Sequence, residues 1–393
     1  MKEPALVLII FLLTGPLAGQ QPSKSGFWDT QRRGANCFNM VPTEKWFKDA
    51  SEAGLQWVRF TFSKWEGEKR DFLIGNTDRY TGLVEADLVQ LEKAIGWADK
   101  YGVKIVLTPL SLPGSRYRQH NGNKYDDKLW QSYEYHKQAE QFWRDLAGRV
   151  KDHKAVVGYN IINEPAPELT TGMKENGGNK NYYSRWYESH KGTPRDLPAF
   201  YQEIINAIRE VDSLTPIMLD AGWYGQPMSF TYWPEMQGSH ILYSIHMYEP
   251  WAYTNRRNFV NGNNLIYPGE IPSGQEIIHW DKNILEGYLQ PFLEWAASTG
   301  IPESRLVIGE FGCYRRNSGC ARYLGDLIEI FNTHNLHWAF YSFREDEWDG
   351  YDYEIGDGPL GWKYWEAKEQ GKTVEPERSG DNPMWKVIKE GLK

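Results

Sequence analysis

Two glutamates carry the most specific chemical signal in this chain. Glu164 lies in Tyr159-Asn160-Ile161-Ile162-Asn163-Glu164-Pro165 and Glu310 in Leu306-Val307-Ile308-Gly309-Glu310-Phe311-Gly312, each the first acid after an apolar, strand-like run. Two facing carboxyl groups can cleave a glycosidic bond through a covalent sugar intermediate. One protonates the leaving oxygen while the other, about 5–5.5 Å away, attacks the anomeric carbon. Other hydrolytic chemistries lack their signatures. There is no Gly-x-Ser-x-Gly turn for a serine nucleophile, and the nine His are scattered without Cys-x-x-Cys or His-x-x-x-His ligand spacing. No metal or cofactor is therefore expected.

The elements that must position such a pair follow from periodicity. Short β-rich runs at 34–38, 57–62, 104–109, 156–163, 216–220, 241–246, 306–311 and 338–343 alternate with helical patterns, the signature of strand–helix units and a parallel sheet. Leu88, Leu91, Ile95 and Ala98 keep helical spacing, as do Ala139, Phe142, Trp143, Leu146, Ala147 and Val150. So do Ile284, Leu285, Tyr288, Leu289, Phe292 and Leu293, then Leu324, Leu327, Ile328 and Phe331, and a last helix starts at Asn382-Pro383. The helix after the fifth strand is the faintest. Eight units predict a single (β/α)8 TIM barrel with every strand's C-terminal end on one face, where active sites of this architecture lie. Long connections at 166–195, 249–281 and 344–380 each follow a strand and decorate that face. Their aromatic runs, Tyr182-Tyr183-Ser184-Arg185-Trp186-Tyr187 and Trp348-Asp349-Gly350-Tyr351-Asp352-Tyr353, read either as sugar-stacking walls or as loops packed on their own side chains.

Composition narrows the partners. Of 393 residues 40% are hydrophobic, enough for a large core, and 15% are aromatic, including 18 Trp and 24 Tyr. Rings in that number suit cleft walls for sugars. A net charge of −8 disfavours nucleic acid or anionic membranes and fits a neutral substrate. The apolar stretch 5–13, followed by small residues to Gln20, reads as a signal peptide over 1–20, which leaves 21–393 as one barrel domain of a secreted, extracellular or periplasmic protein. In an oxidising compartment Cys313 and Cys320 have the spacing to close a small loop after Glu310, leaving Cys37 a buried thiol.

In this order the motifs resemble glycoside hydrolase family 5. They are Arg33-Gly34-Ala35-Asn36, Trp57-Val58-Arg59-Phe60, Asn163-Glu164-Pro165, His246-Met247-Tyr248 and Gly309-Glu310-Phe311-Gly312, and the likeness runs from about Arg33 to Trp385. The resemblance implies Glu164 as general acid/base and Glu310 as nucleophile. It implies substrate-site roles for Arg59 as the partner of the Glu310 charge, Asn163 toward the sugar 2-hydroxyl, His246 near the acid and Tyr248 as a donor to Glu310. The acid must keep its proton near neutral pH, which a neighbouring carboxylate favours by like-charge repulsion. Two departures stand out. Leu110 falls where many members have His after strand three, and Tyr341 stands where the family places a stacking Trp, with Trp348 or Trp223 as substitutes.

The expected activity is endo-hydrolysis of a β-1,4-glucan with retention of configuration by a monomer whose partner is a polysaccharide or oligosaccharide. β-Mannan or mixed-linkage glucan is the alternative substrate. A binding-only barrel is the competing class, and it should have lost one of the two glutamates.

Overall fold

Eight parallel strands close into a barrel in strict sequence order. They are β1 (Arg33–Cys37), β2 (Trp57–Phe60), β3 (Lys104–Leu107), β4 (Val156–Asn160), β5 (Ile217–Asp220), β6 (Ile241–Met247), β7 (Leu306–Phe311) and β8 (His337–Phe340), with β8 pairing back onto β1. The computed structural model describes residues 23–62, 69–116, 121–173, 180–346, 348–372 and 374–393; the expected signal peptide lies outside them. All eight strands fall where the hydrophobic runs predict, and several end two or three residues earlier, where the chain leaves the ladder for the connections at the mouth.

Helices α1 (Glu44–Ala53), α2 (Glu85–Tyr101), α3 (Tyr133–Val150), α4 (Leu197–Arg209), α5 (Lys282–Thr299), α6 (Cys320–Thr333) and α7 (Pro383–Gly391) surround the barrel. The expected stripe is buried in full on α2, α3 and α6, but on α5 only Leu285, Leu289 and Phe292 are buried, while Tyr288 and Leu293 are half-buried and Ile284 is exposed. On α2 Leu88, Leu91, Ile95 and Ala98 are buried, and on α3 all six periodic residues are. Side chains of Thr43, Ser132, Asp196, Asp281 and Asn382 cap the N-termini of α1, α3, α4, α5 and α7 by accepting orphan amides. After β5 there is no full helix. A 3₁₀ segment, Pro227–Tyr232, takes its place and stacks Phe230 on Phe292 of α5 at 4.7 Å.

The barrel interior is layered. Trp57, Val106, Val157, Met218, Leu242, Val307 and Ala339 fill its lower part, and Phe27 and Trp28 of an N-terminal 3₁₀ turn pack against them from below. Gly34 is β1's place in that layer, and a Cβ there would come within 2.2 Å of the Trp57 carbonyl oxygen. Above the apolar layer the inward residues turn polar: Asn36, Arg59, Asn160, Asp220 and His246 are all buried. On β7, Ile308 pairs with Ile245 and Glu310 with His246, so Gly309 is an extra residue, a bulge that brings Glu310 level with His246.

Connections after β2 and β3 join the three long loops on this face. Cys313 and Cys320 form a disulfide and Cys37 is a buried free thiol. No helix among the described residues is long and apolar enough to cross a membrane.

Candidate active site

Arg59 organises the mouth of the barrel. Its guanidinium donates to Asn36 Oδ1 (3.0 Å), Asn160 Oδ1 (2.7 Å), Asn163 Oδ1 (2.9 Å), Asp220 Oδ2 (3.0 Å) and Glu310 Oε1 (2.6 Å). Burial opposes its charge, yet Asp220 and Glu310 outweigh that and raise its pKa. Removing one partner from such a buried set strands the others. Arg59→Ala is therefore expected to lower stability by about 3–5 kcal/mol as well as activity, and thermal unfolding curves check it; an unchanged melting temperature would contradict this account of the network.

Glu310 is held at both oxygens, since Tyr248 donates its hydroxyl to Oε2 at 2.8 Å while Arg59 takes Oε1. Burial pushes the carboxyl above its ordinary value, with Glu164 adding to the rise, while His246 and Arg59 pull it down. Glu164 sits four residues beyond β4 with φ +49°, a left-handed conformation costly for a residue with a Cβ. It is fixed there by its own amide, which donates to Asp220 Oδ2 (3.3 Å), and by the next residue's carbonyl, which accepts from the Tyr224 amide (3.1 Å). His246 Nδ1 lies 2.9 Å from Glu164 Oε1. One side-chain donor atom from each of Glu164, His246 and Glu310 falls within 4.8 Å of the others. That spacing would also suit a cation, but Arg59 already supplies the positive charge between these acids.

Arg59, Asn163, Glu164, His246, Tyr248 and Glu310 thus converge. The three ring candidates do not share one wall. Tyr341 and Trp348 stand on the Glu310 side, both edge-on to Tyr351 at 5.5 and 4.9 Å, and Tyr351 in turn meets Tyr248 at 6.3 Å. Tyr341 donates to Glu345 Oε1 at 3.2 Å. Trp223 stands on the Glu164 side, where it lines a cavity of about 520 Å³ with Leu110, Glu164, His246 and Tyr248, and its indole Nε1 makes no hydrogen bond among the described residues. Trp223 and Tyr224 are a left-handed pair (φ 47° and 60°), and Glu168 accepts from the Trp223 amide at 3.0 Å. Burial pushes that carboxyl up to about 7.

The cavity's far wall comes from the connection after β3, through Arg116, Tyr125, Asp126 and Asp127, which its sequence does not announce. Tyr183, Trp186 and Tyr187 are not walls: they pack with Met173 and Trp223 into a separate apolar cluster that supports Trp223 from behind. Asn160 and Asp220 are the site residues the motifs miss. Asp220 carries the same mark as the two glutamates, an acid ending an apolar strand.

The family model for cellulase (glycosyl hydrolase family 5) matches residues 21–347. The chain belongs to glycoside hydrolase family 5. As a family member it is a glycoside hydrolase of the endoglucanase-like kind, acting on O-glycosyl bonds. Endoglucanase C of Acetivibrio thermocellus is 21% identical over 339 residues, covering 80% of this chain and 88% of that protein. Probable glucan 1,3-beta-glucosidase A of Aspergillus fumigatus is 23% identical over 344 residues, covering 84% and 70%. The crystal structure of Thermotoga maritima Cel5A in complex with cellobiose superposes with a TM-score of 0.61 at 17% identity, covering 95% of this chain and 99% of that one; that likeness concerns the fold.

Proposed function

We propose that this family 5 enzyme is secreted and cuts β-1,4-linked glucan internally, with retention, using Glu310 as nucleophile and Glu164 as acid/base. The observation that carries the reading is the approach of the two glutamates to within 4.8 Å around His246, a gap that suits direct attack on one sugar rather than an intervening water. In the first step Glu310 bonds to the anomeric carbon as the glycosidic C–O bond breaks, and the Glu164 proton goes to the departing oxygen. In the second, water attacks the same carbon, Glu164 takes its proton, and Glu310 leaves as carboxylate. Two inversions give retention. Bonds from Arg59 and Tyr248 to both Glu310 oxygens oppose its protonation and fix the attacking lone pair. Asn163 accepts from Arg59 through Oδ1, which turns its amide NH₂ outward for a sugar hydroxyl.

Endo action is supported by a cavity that continues past Glu164 to Tyr125, Trp251 and Tyr288, and by rings on both sides of the acids. The Cys313–Cys320 disulfide supports export. Reducing-end release from β-1,4-glucan, mixed-linkage glucan, β-mannan and β-1,3-glucan tests the substrate. The β-1,4-glucan should yield the most product, as short oligosaccharides whose fresh ends are β-anomers by NMR. Faster release from mannan or from β-1,3-glucan would replace the substrate reading, and α-anomers would remove the double displacement. Tight binding with no product from any of them would favour a binding-only barrel.

A further inference from the structure

Asp220 has no part in the chemistry above, yet it touches every charged member of the site except Glu310. It ends β5 fully buried. Its Oδ2 lies 3.0 Å from Arg59 Nη2, 3.3 Å from the Glu164 amide nitrogen and 3.3 Å from His246 Nε2, the last within ion-pair range though off the hydrogen-bond line. With no surface to solvate it, its charge must be met by these groups.

The His246 ring is buried and closely packed on two sides. A Cβ on Gly309 would come within 3.0 Å of Nε2, and one on Gly225 within 2.9 Å of Cγ, so two glycines form the slot that holds the imidazole. Its Nδ1 edge meets Glu164 at 2.9 Å. The groups facing the ring are Arg59 from β2, Glu164 beyond β4, Asp220 from β5 and Glu310 from β7, whose Oε2 is 3.9 Å from Nδ1; Ser244 on its own strand and Tyr248 just past the strand's end flank it. With Glu164 protonated and His246 cationic, two buried cations balance two buried anions.

We propose that Asp220 is a positioning residue that holds His246 as an imidazolium aimed at Glu164, so that a fixed positive charge stands beside Glu164 whenever it has given up its proton. The inference rests on the reading of Glu164 as acid/base. Burial disfavours the imidazolium, but Glu310 and Asp220 outweigh it and push the His246 pKa up to about 10 against the pull of Arg59. Burial likewise favours a neutral Asp220, and Arg59 and His246 overcome it and hold that carboxyl at about 2. Without Asp220 the ring would keep its slot but lose the nearest anion on its Nε2 edge.

The test is the ¹⁵N titration of His246 in the whole enzyme from about pH 5 to about pH 10, with the signal assigned by its loss in His246→Gln. Wild type is expected to show an imidazolium throughout the neutral range. In Asp220→Asn the midpoint should fall by about 1–3 pH units, and the alkaline limb of kcat/KM should move in the same direction while circular dichroism stays unchanged. A neutral imidazole in wild type at neutral pH overturns the proposal, and so does a variant that loses activity with the midpoint unmoved, which would make Asp220 a structural support only. The wild-type titration decides by itself if the variant does not fold. Because the titration needs no turnover, it remains interpretable even if no glycan is hydrolysed, which would defeat the functional reading instead.

Discussion

Glu310→Ala is expected to lower kcat on every glycan by roughly five orders of magnitude, the scale lost when a covalent nucleophile is deleted. The fold should survive. Arg59 keeps Asp220, Asn36, Asn160 and Asn163 as acceptors, and only Tyr248 loses its side-chain acceptor. The space vacated by the carboxylate faces the anomeric carbon, so added azide should restore turnover of an activated aryl glycoside. It attacks from the side Glu310 used, and with no second displacement the product is the α-glycosyl azide. Wild-type rates in the variant, or rescue that yields a β-azide, would overturn the assignment of Glu310.

Glu164→Ala should divide substrates by leaving group. A polysaccharide departs as a poor alkoxide and needs the proton, so its kcat/KM should fall about 10²–10⁴-fold. An aryl glycoside with a dinitrophenolate leaving group needs little protonation and should form the glycosyl-enzyme at nearly the original rate. Breakdown of that ester still needs a base to take the proton of the attacking water. The variant should therefore release one equivalent of phenol in a burst and then stall. Equal losses on both substrates, with no burst, would contradict the role of Glu164.

The barrel was legible because each unit repeats one physical pattern, an apolar strand followed by a helix with a buried stripe. It failed where the pattern does: after β5 only the single turn Gly222–Gly225 and the 3₁₀ segment Pro227–Tyr232 are present, with Pro227 breaking them apart and no buried stripe longer than one turn. In the site, Arg59, Glu164, His246, Tyr248 and Glu310 could be grouped from sequence because each belongs to a motif at a strand end and the architecture gathers strand ends. Asp220 bears the same strand-end mark as the glutamates, but no family motif surrounds it among 52 acidic residues, and its partners lie 56 and 161 positions away. Aromatic runs were ambiguous for a related reason. Tyr183 and Trp186 are buried while Trp348 is only partly so, and a ring's neighbours, not its flanking residues, decide which surface it faces. The loop after β3 carries few rings and no motif, so its place opposite Trp223 could not be foreseen.

Phe27 and Trp28 give the N-terminal turn a reach well beyond its own location. Trp28 meets both Trp57 and His337, the first residues of β2 and β8, at 5.0 Å, and its indole donates to the Val157 carbonyl. These rings stopper the barrel at the end opposite the groove, and a layer of side chains higher up the charges begin. If the stopper loosened, solvent rising through the bore would increase the local permittivity around Arg59 and weaken every attraction in the set, because Coulomb energy falls in proportion. The electrical sharpness of the groove is therefore underwritten by two rings at the far end of the molecule that no sugar ever meets.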